Sequence, residues 1–395
     1  MSVARRFRIA TAPLALAALA AACGAGGDGA EPIHLGLAGP INLSSGRSMH
    51  LAAQMAVDEI NRAGGIDGRP LTLVVKDDEA NDQKAIAVAT ELRDDPRVVA
   101  VVGHINSFAT RAAARIYNDE QNGVVELSPA STSPDITEAG PWTFRVCPSD
   151  LQHAPALAQW TFDRLGRSRA AVLYSNDAYG RGIVDAFATA FEEHGGRIIA
   201  RDPFLPQLID SLGVDAYLER AMRNRMDALV IAGQAEEALS IIRTARRLGY
   251  RGPVLGADGL TGLREAGSMA NGVYVTSAFL PDRPTEEAQR FVEAYVARYN
   301  ELPDHRGAMT YDAIYLLARA LREVSAARRQ HAEPGVNATA ALRRAIRDYL
   351  AGVGTEYDPF EGVSGTIRFD ENGDVAGKDV AVGVVQDGRI VTASS

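Results

Sequence analysis

Two polar side chains stand where predicted strands give way to predicted helices. Ser107 follows the apolar run 98–103 and opens a helical pattern, so its hydroxyl and the neighbouring N–H groups can face an anion. Asp258 follows the apolar segment 254–256, where a carboxylate can form a charge-assisted hydrogen bond with a cation. Each residue also has a simpler interpretation as a helix cap. Whether the two side chains line one site therefore depends on the fold.

Three further residues follow other predicted strands. Ala130 and Thr132 lie in a loop after the run 124–128, and flanking prolines at 129 and 134 stiffen its backbone. Tyr179 stands at the start of a helical pattern, where its ring offers flat contact area and an attraction for cations. The alternatives are an ordinary turn for the loop and local packing for the ring.

The sequence has no convincing motif for a dinucleotide, metal or nucleophilic catalytic site. The glycine pattern at 24–29 matches a dinucleotide-binding motif but has no strand before it, and a flexible tether explains it better. The histidines and cysteines never approach metal-ligand spacing, and no nucleophile elbow or phosphate-cradling loop occurs. The acidic cluster 77–79 is interpreted as a solvated loop. We therefore expect no metal, no cofactor and no catalytic residue.

The composition is that of a globular protein that does not bind nucleic acid. Of 395 residues, 46 % are hydrophobic and 23 % charged, which is enough to bury two cores. The formal net charge is −9, and phosphate binding would need basic patches instead.

The first thirty residues are typical of an exported protein. Arginines at 5, 6 and 8 precede an acid-free apolar run that ends in small residues, which predicts a signal peptide over 1–22. Cys23 follows directly, as a lipoprotein cysteine would, and the segment 23–30 is interpreted as a flexible tether. Leu19 lies four residues before Cys23, one more than the usual lipoprotein pattern, so secretion without lipid stays open. With lipid on Cys23, Cys147 would have no disulfide partner.

Strand and helix patterns alternate along the mature chain. Apolar runs at 33–38, 71–76, 98–103 and 124–128 predict buried strands, and the helical patterns between them indicate a parallel sheet covered on both faces. A second unit begins after 144–148, with strands at 170–174, 197–200, 228–231 and 273–279. Three later helical stretches are assigned to the first unit. The tail is interpreted as a strand at 366–369, a turn at 370–374 and a strand at 380–385.

Five stretches together resemble the leucine/isoleucine/valine-binding protein family, the type I periplasmic binding proteins. The order and spacing of these stretches, rather than any one of them, carry the resemblance. They are Gly39-Pro40 with 56–61 and 64–66, then 103–107, 127–134, 174–182 and 360–369.

The resemblance implies an α/β fold of two Rossmann-like lobes that close on a ligand like a Venus flytrap. Three crossover segments, near 147–150, 276–281 and 354–360, would join a first lobe of 31–148 plus 279–356 to a second of 149–278 plus 357–395. It also implies that Ser107 holds the α-carboxylate of an amino acid and that Asp258 holds its α-ammonium. The Ala130 backbone and the Thr132 hydroxyl would contact the same amino-acid head group. Tyr179 would form an aromatic wall of the cleft on the second lobe.

The side-chain end of the implied pocket departs from the family pattern. Branched-chain binders tend to place aromatic rings at positions that correspond here to Ser45, Gln234 and Arg306. Polar residues there would desolvate an aliphatic side chain poorly. We therefore expect an amino acid or related solute with a polar or acidic side chain, although a surface position remains the alternative for Arg306.

The family implies a function in transport. The chain would be the extracytoplasmic solute-binding protein of an ABC importer, with a membrane permease as its partner. A ligand-sensing receptor module of the same fold is the alternative, and an exported lyase or hydrolase that uses the cleft acids is a third.

Overall fold

The computed structural model describes residues 31–330 and 338–394. The predicted signal peptide, the tether and Cys23 lie outside this range. The described chain forms two α/β lobes, each built on a mainly parallel sheet, as predicted.

The first lobe contains a five-stranded parallel sheet of order β2-β1-β3-β4-β5. Every residue of the central strand β3 is buried, which explains its uninterrupted apolar sequence. The strands are β1 (Ile33–Gly39), β2 (Leu71–Asp77), β3 (Val98–Gly103), β4 (Val125–Ser128) and β5 (Thr143–Arg145).

The second lobe contains a seven-stranded sheet of order β14-β13-β10-β9-β8-β6-β7. The five strands β6 to β10 run parallel to one another. Strands β13 and β14 add an antiparallel edge beside β10. These and the remaining strands are β6 (Arg169–Ser175), β7 (Arg197–Phe204), β8 (Ala228–Ala232), β9 (Val254–Gly256), β10 (Val273–Ser277), β11 (Phe360–Gly362), β12 (Gly365–Ile367), β13 (Ala381–Gln386) and β14 (Arg389–Thr392).

Helices cover both faces of the two sheets. The helices are α1 (Ser44–Arg62), α2 (Asp82–Asp94), α3 (Ser107–Tyr117), α4 (Asp150–Gln159), α5 (Ala178–Glu193), α6 (Ile209–Leu212), α7 (Asp215–Arg223), α8 (Ala235–Arg247), α9 (Glu286–Tyr299), α10 (His305–Gln330) and α11 (Ala338–Ala351). Longer helices such as α1, α3, α5 and α8 bury an apolar stripe at helical spacing. A run of tighter 3-10 turns, Asp258–Ala270, follows β9 and is interrupted at Gly267.

The three late helices return to the first lobe, as predicted. Ile314, Leu317 and Leu321 of α10 pack in the same core as Leu35 and Leu37 of β1. Helix α9 packs against α1, and α11 contributes further residues to the first core. The first lobe is therefore completed only by chain that follows the second.

The third crossover lies later than predicted. Ile367, Phe369 and Val375 are buried in the first-lobe core, whereas Val385 is buried in a second-lobe core. The chain thus crosses near 376–380, and the expected change of lobe at 357 and crossover at 354–360 are too early. The apolar residues of this segment show that it is buried but not which core receives it.

The two tail strands form, but they do not pair with each other. β12 pairs antiparallel with β11, while β13 pairs with β10 in the second-lobe sheet. The turn at 370–374 is closed by a bridge between Phe369 and Val375. This turn therefore stays on the first lobe and leads into the third crossover.

Candidate functional site

A cleft of about 460 Å³ lies between the lobes, where the carboxyl ends of both parallel sheets face each other. Helices α2, α3, α5 and α8 begin at this cleft, so several positive helix ends point toward it. The residues that line the cleft are 80–82, 105–108, 130, 176–177, 179, 205–207, 234, 237, 258–259 and 306.

Ser107 lies at the start of α3 on the first-lobe side of the cleft and is 3 % exposed. The N-cap position belongs to Asn106, so the capping role predicted for Ser107 is wrong. The Ser107 hydroxyl instead accepts a hydrogen bond from the Ser133 N–H at 3.3 Å. Its own proton remains available to an anion, beside the first N–H groups of the helix.

Asp258 opens the 3-10 turns on the second-lobe side and is also 3 % exposed. The Tyr179 hydroxyl donates to its Oδ1 at 3.1 Å, and the Gly259 N–H donates to the Tyr179 hydroxyl at 2.9 Å. A Cβ at Gly259 would lie 2.7 Å from that hydroxyl, so only glycine permits this contact. Two hydrogen bonds thus fix the positions of the ring and the carboxylate.

The ionised form of Asp258 is favoured despite its burial. Burial raises the pKa of this carboxyl, but the nearby His153, His305 and Arg306 lower it more, and the pKa lies well below its usual range. The carboxylate is therefore a fixed negative charge on one wall of the cleft. This charge can hold a cation that enters from solvent.

Arg306 and Gln234 form a polar end of the cleft. Arg306 extends from the first turn of α10, and its Nη2 donates to Gln234 Oε1 at 3.3 Å. Its Nη1 donates to Thr261 Oγ1 at 3.2 Å and lies 3.7 Å from Asp304 Oδ2. The guanidinium of the first lobe thereby reaches side chains of the second lobe, and it is buried rather than at the surface.

Six of the eight predicted ligand-binding residues line this one cleft. They are Ser107, Ala130, Tyr179, Gln234, Asp258 and Arg306. Thr132 is completely buried behind the cleft, and its carbonyl accepts from Asp150 N at 2.7 Å. Ser45 lies in the first turn of α1 and is not among the lining residues. Ligand contact by these two side chains is therefore not supported by their positions.

Several polar residues of the cleft were not predicted from the sequence. Asp177 caps α5 by accepting from Gly180 N at 2.9 Å, and Glu237 accepts from Gln234 N at 2.8 Å. Burial raises the pKa of Glu237. An acid or amide near a helix start is a common cap, so its sequence position alone does not indicate a second role at a cleft.

His153 and Asp150, both on α4, lie behind Asp258 and were also missed. Burial lowers the pKa of His153, although Asp258 opposes that shift, and burial raises the pKa of Asp150. Neither residue follows a predicted strand, which was the signal that located Ser107 and Asp258.

Within the described residues, no cluster of acids, histidines and cysteines has the arrangement of a metal site. In the same part of the chain, no helix is long and apolar enough to cross a membrane.

Comparisons with known proteins agree with this architecture. A model of the periplasmic binding protein family matches residues 34–389. Leu/Ile/Val-binding protein homolog 1 of Brucella abortus (strain 2308) is 28 % identical over 363 residues, which cover 90 % of this chain and 91 % of that protein.

Two solved structures are similar over nearly the whole chain. An ABC transporter substrate-binding protein from Desulfitobacterium hafniense in complex with Leu has 34 % identity and a TM-score of 0.75, covering 92 % of this chain and 100 % of that one. A branched-chain amino acid transporter substrate binding protein from Streptococcus pneumoniae in complex with isoleucine has 28 % identity and a TM-score of 0.79, covering 92 % and 99 %. The predicted resemblance is confirmed, and the chain belongs to the periplasmic binding protein family.

Proposed function

We propose that this chain is the extracytoplasmic solute-binding protein of an ABC importer and that it holds an amino acid or related solute with a polar or acidic side chain in the cleft. One observation carries the proposal. A hydroxyl at a helix start, Ser107, and an ionised carboxylate, Asp258, line one cleft from opposite lobes. This arrangement suits a zwitterion, whose carboxylate and ammonium need partners of opposite character.

The roles follow from position. The ligand carboxylate would accept from Ser107 and the first N–H groups of α3, and its ammonium would donate to Asp258 and the Ala130 carbonyl. Tyr179 would pack against the ligand while it orients Asp258. Arg306 and Gln234 would face the ligand side chain, where a polar group could satisfy them and an aliphatic one would leave buried polar atoms unpaired.

Closure of the lobes on the solute would create the shape that a membrane permease recognises. The protein would perform no chemistry on the ligand. A signal peptide over 1–22 and a lipid on Cys23 would place it outside the cell membrane, anchored to its outer face. A receptor module of the same fold is the second candidate, and the presence of permease and ATPase genes beside this one would favour transport.

A thermal-shift screen tests the binding function. The probes are the common amino acids and small carboxylates, and a ligand at about one hundred times its Kd stabilises the folded protein by about 2.7 kcal/mol. Calorimetry then ranks the hits. Recovery of the ligand unchanged after prolonged incubation tests the absence of catalysis.

Two variants locate the site. Ser107→Ala and Asp258→Ala should each abolish the thermal shift, whereas Ser45→Ala should retain it because Ser45 does not line the cleft. Retention of full binding in both cleft variants would contradict the proposed site. Tighter binding of leucine or valine than of every polar amino acid would contradict the proposed side-chain preference.

A further inference from the structure

His305 faces the carboxylate to which the proposed function assigns the ligand ammonium. It is the first residue of α10, is 1 % exposed, and its Nε2 lies 3.5 Å from Asp258 Oδ2. Within the described residues, this nitrogen has no hydrogen-bond partner. A buried ring nitrogen beside a buried carboxylate must either carry a proton or oppose a second acceptor.

The hydrogen bonds of Thr261 identify the protonated nitrogen of His305. The single hydroxyl proton of Thr261 is donated to the Asp258 carbonyl at 2.7 Å. Its oxygen therefore accepts from Arg306 Nη1 and from His305 Nδ1, both at 3.2 Å. Nδ1 thus carries a hydrogen, and a neutral His305 would direct the lone pair of Nε2 at the carboxylate.

We propose that His305 is the counter-ion of Asp258 in the ligand-free protein and that it loses its Nε2 proton when the ligand ammonium binds. The proposal rests on the proposed function, because it assumes that the ammonium binds at Asp258. The exchange balances charge, since one proton leaves for solvent as one ammonium arrives.

The other groups around Asp258 do not take this role. Burial raises the pKa of the Tyr179 hydroxyl, so it stays protonated and donates its one hydrogen to Asp258 Oδ1. His153 directs Nδ1 to Thr276 Oγ1 at 3.1 Å, and in the described part of the chain its ring forms no ion pair with Asp258. Arg306 directs its guanidinium to Gln234 and Thr261. The remaining charged groups near His305 are Asp304, Arg264 and Arg389.

Asp304 does not replace Asp258 as the partner of His305. Burial raises the pKa of Asp304, but Arg264, His305 and Arg306 outweigh it, and the carboxyl stays ionised. Its Oδ2 lies 3.8 Å from Arg264 and 3.7 Å from Arg306, and its Oδ1 accepts from Gly307 N. Two arginines therefore share this charge, whereas no arginine forms an ion pair with Asp258 in the described part of the chain.

Nuclear magnetic resonance of the ligand-free protein tests the pair without any ligand. The imidazole nitrogens of His305 are assigned by their loss in His305→Gln and followed from about pH 5 to about pH 8.5, a range that spans ordinary histidine titration. We expect Nδ1 to remain protonated throughout. We also expect Nε2 to keep its proton to a higher pH in the wild type than in Asp258→Asn, because a neutral amide cannot stabilise an imidazolium. Equal midpoints would overturn the pairing.

Calorimetry tests the exchange. L-glutamine, L-glutamate and L-leucine are titrated in two buffers of different ionisation heat at about pH 6 and about pH 8, on either side of the usual histidine titration. For a probe that binds, we expect proton release at the lower pH and an affinity that rises up to about tenfold per pH unit until His305 is neutral. His305→Gln should remove both effects, and the exposed His194→Asn should keep them.

The outcomes are distinguishable. Proton release that persists in His305→Gln would overturn the exchange while leaving amino-acid binding intact. Binding of no amino acid would instead contradict the proposed function, and the midpoint comparison would still decide whether His305 and Asp258 form a pair.

Discussion

Arg145 Nη2 donates to Asp374 Oδ2 at 2.6 Å and so joins the last strand of the first-lobe sheet to the turn before the third crossover. Arg145 is 1 % exposed, and its Nη1 donates to the Ser133 carbonyl at 2.7 Å. The same guanidinium therefore supports the loop that carries Ala130 and the segment that leads into the second lobe. The buried Arg145 guanidinium therefore holds in place both the segment before the third crossover and the cleft loop that carries Ala130.

Removal of Asp374 should destabilise the protein strongly. Asp374→Ala leaves Arg145 buried without its charge partner, and we expect a loss of about 3 kcal/mol in the free energy of unfolding. Urea unfolding measures this loss of stability. Glu371→Ala, an exposed acid in the same turn, should change the stability by less than about 0.5 kcal/mol. Similar losses in the two variants would mean that the ion pair has no special role.

Tyr179→Phe should weaken ligand binding and also lower the free energy of unfolding by about 1–3 kcal/mol, because it leaves the buried Gly259 N–H without an acceptor. The substitution keeps the ring but removes the hydroxyl that donates to Asp258 and accepts from Gly259 N. Because hydrogen bonds to charged groups contribute about 1.5–3 kcal/mol, we expect affinity to fall by about tenfold or more. Calorimetry with the best ligand of the screen measures the change. Tyr174→Phe, in the same lobe, should bind normally, and equal binding by both variants would contradict the role of the hydroxyl.

Arg306→Leu should shift the ligand preference toward aliphatic amino acids. Loss of the guanidinium removes the charged donor that faces Gln234 and leaves a pocket end that desolvates an alkyl chain more readily. We expect at least about a tenfold change in the affinity ratio of L-glutamate to L-leucine, because a buried polar group left without a partner costs about 1–3 kcal/mol. Arg290→Leu, on the exposed face of α9, is the control. An unchanged ratio would place the ligand side chain elsewhere.

Lys378 should make stability rise with pH in alkaline solution. Burial lowers its pKa to about 8, although Asp312 opposes the shift. The pKa of a lysine in the unfolded chain is about 10.4. Between about pH 8 and this value the unfolded chain binds more protons than the folded protein, so the free energy of unfolding rises with pH.

The slope attributable to Lys378 should reach at most about 1.4 kcal/mol per pH unit. Urea unfolding of wild type and Lys378→Met between about pH 8 and about pH 9.5 isolates it, because the variant cannot titrate there. Lys84→Met, which removes an exposed lysine paired with Glu79, should retain the wild-type slope. A slope that survives in Lys378→Met would assign the effect to another group.

Cys147 should resist thiol reagents in the folded protein. It is buried, and burial raises the pKa of its thiol well above the ordinary value, so little thiolate forms and little reagent reaches it. In a Cys23→Ala chain, we expect labelling only at the rate of unfolding and rapid labelling in guanidinium chloride. Labelling in native buffer as fast as in denaturant would show that the thiol is accessible.

The sequence predicted the regular elements well because their signal is local. The run Val98–Gly103 forms a fully buried strand, and the apolar spacing in Ala52, Met55, Ala56 and Ile60 marks the buried face of α1. Ser107 and Asp258 were found because the ends of parallel strands converge on one edge. Both signals need only a few neighbouring residues.

Long-range pairing was not predictable in the same way. Asp78, expected in a solvated loop, is completely buried, and its Oδ2 lies 2.5 Å from Nδ1 of the buried His104. A partner such as His104 offsets the cost of burying the Asp78 carboxyl, and this partner is distant in the chain. The same reason explains the misplaced third crossover and the missed pairing of His305 with Asp258.

The late return of the chain to both lobes has a consequence for the order of assembly. Helices α9 to α11 complete the first core, and β13 and β14 supply the edge of the second sheet, so each half waits for residues beyond position 285. During synthesis from the N-terminus, the first lobe cannot complete its core before the residues of the second lobe have been made. Completion of the first half therefore waits for chain made after most of the second, and removal of residues 338–394 should impair both halves together.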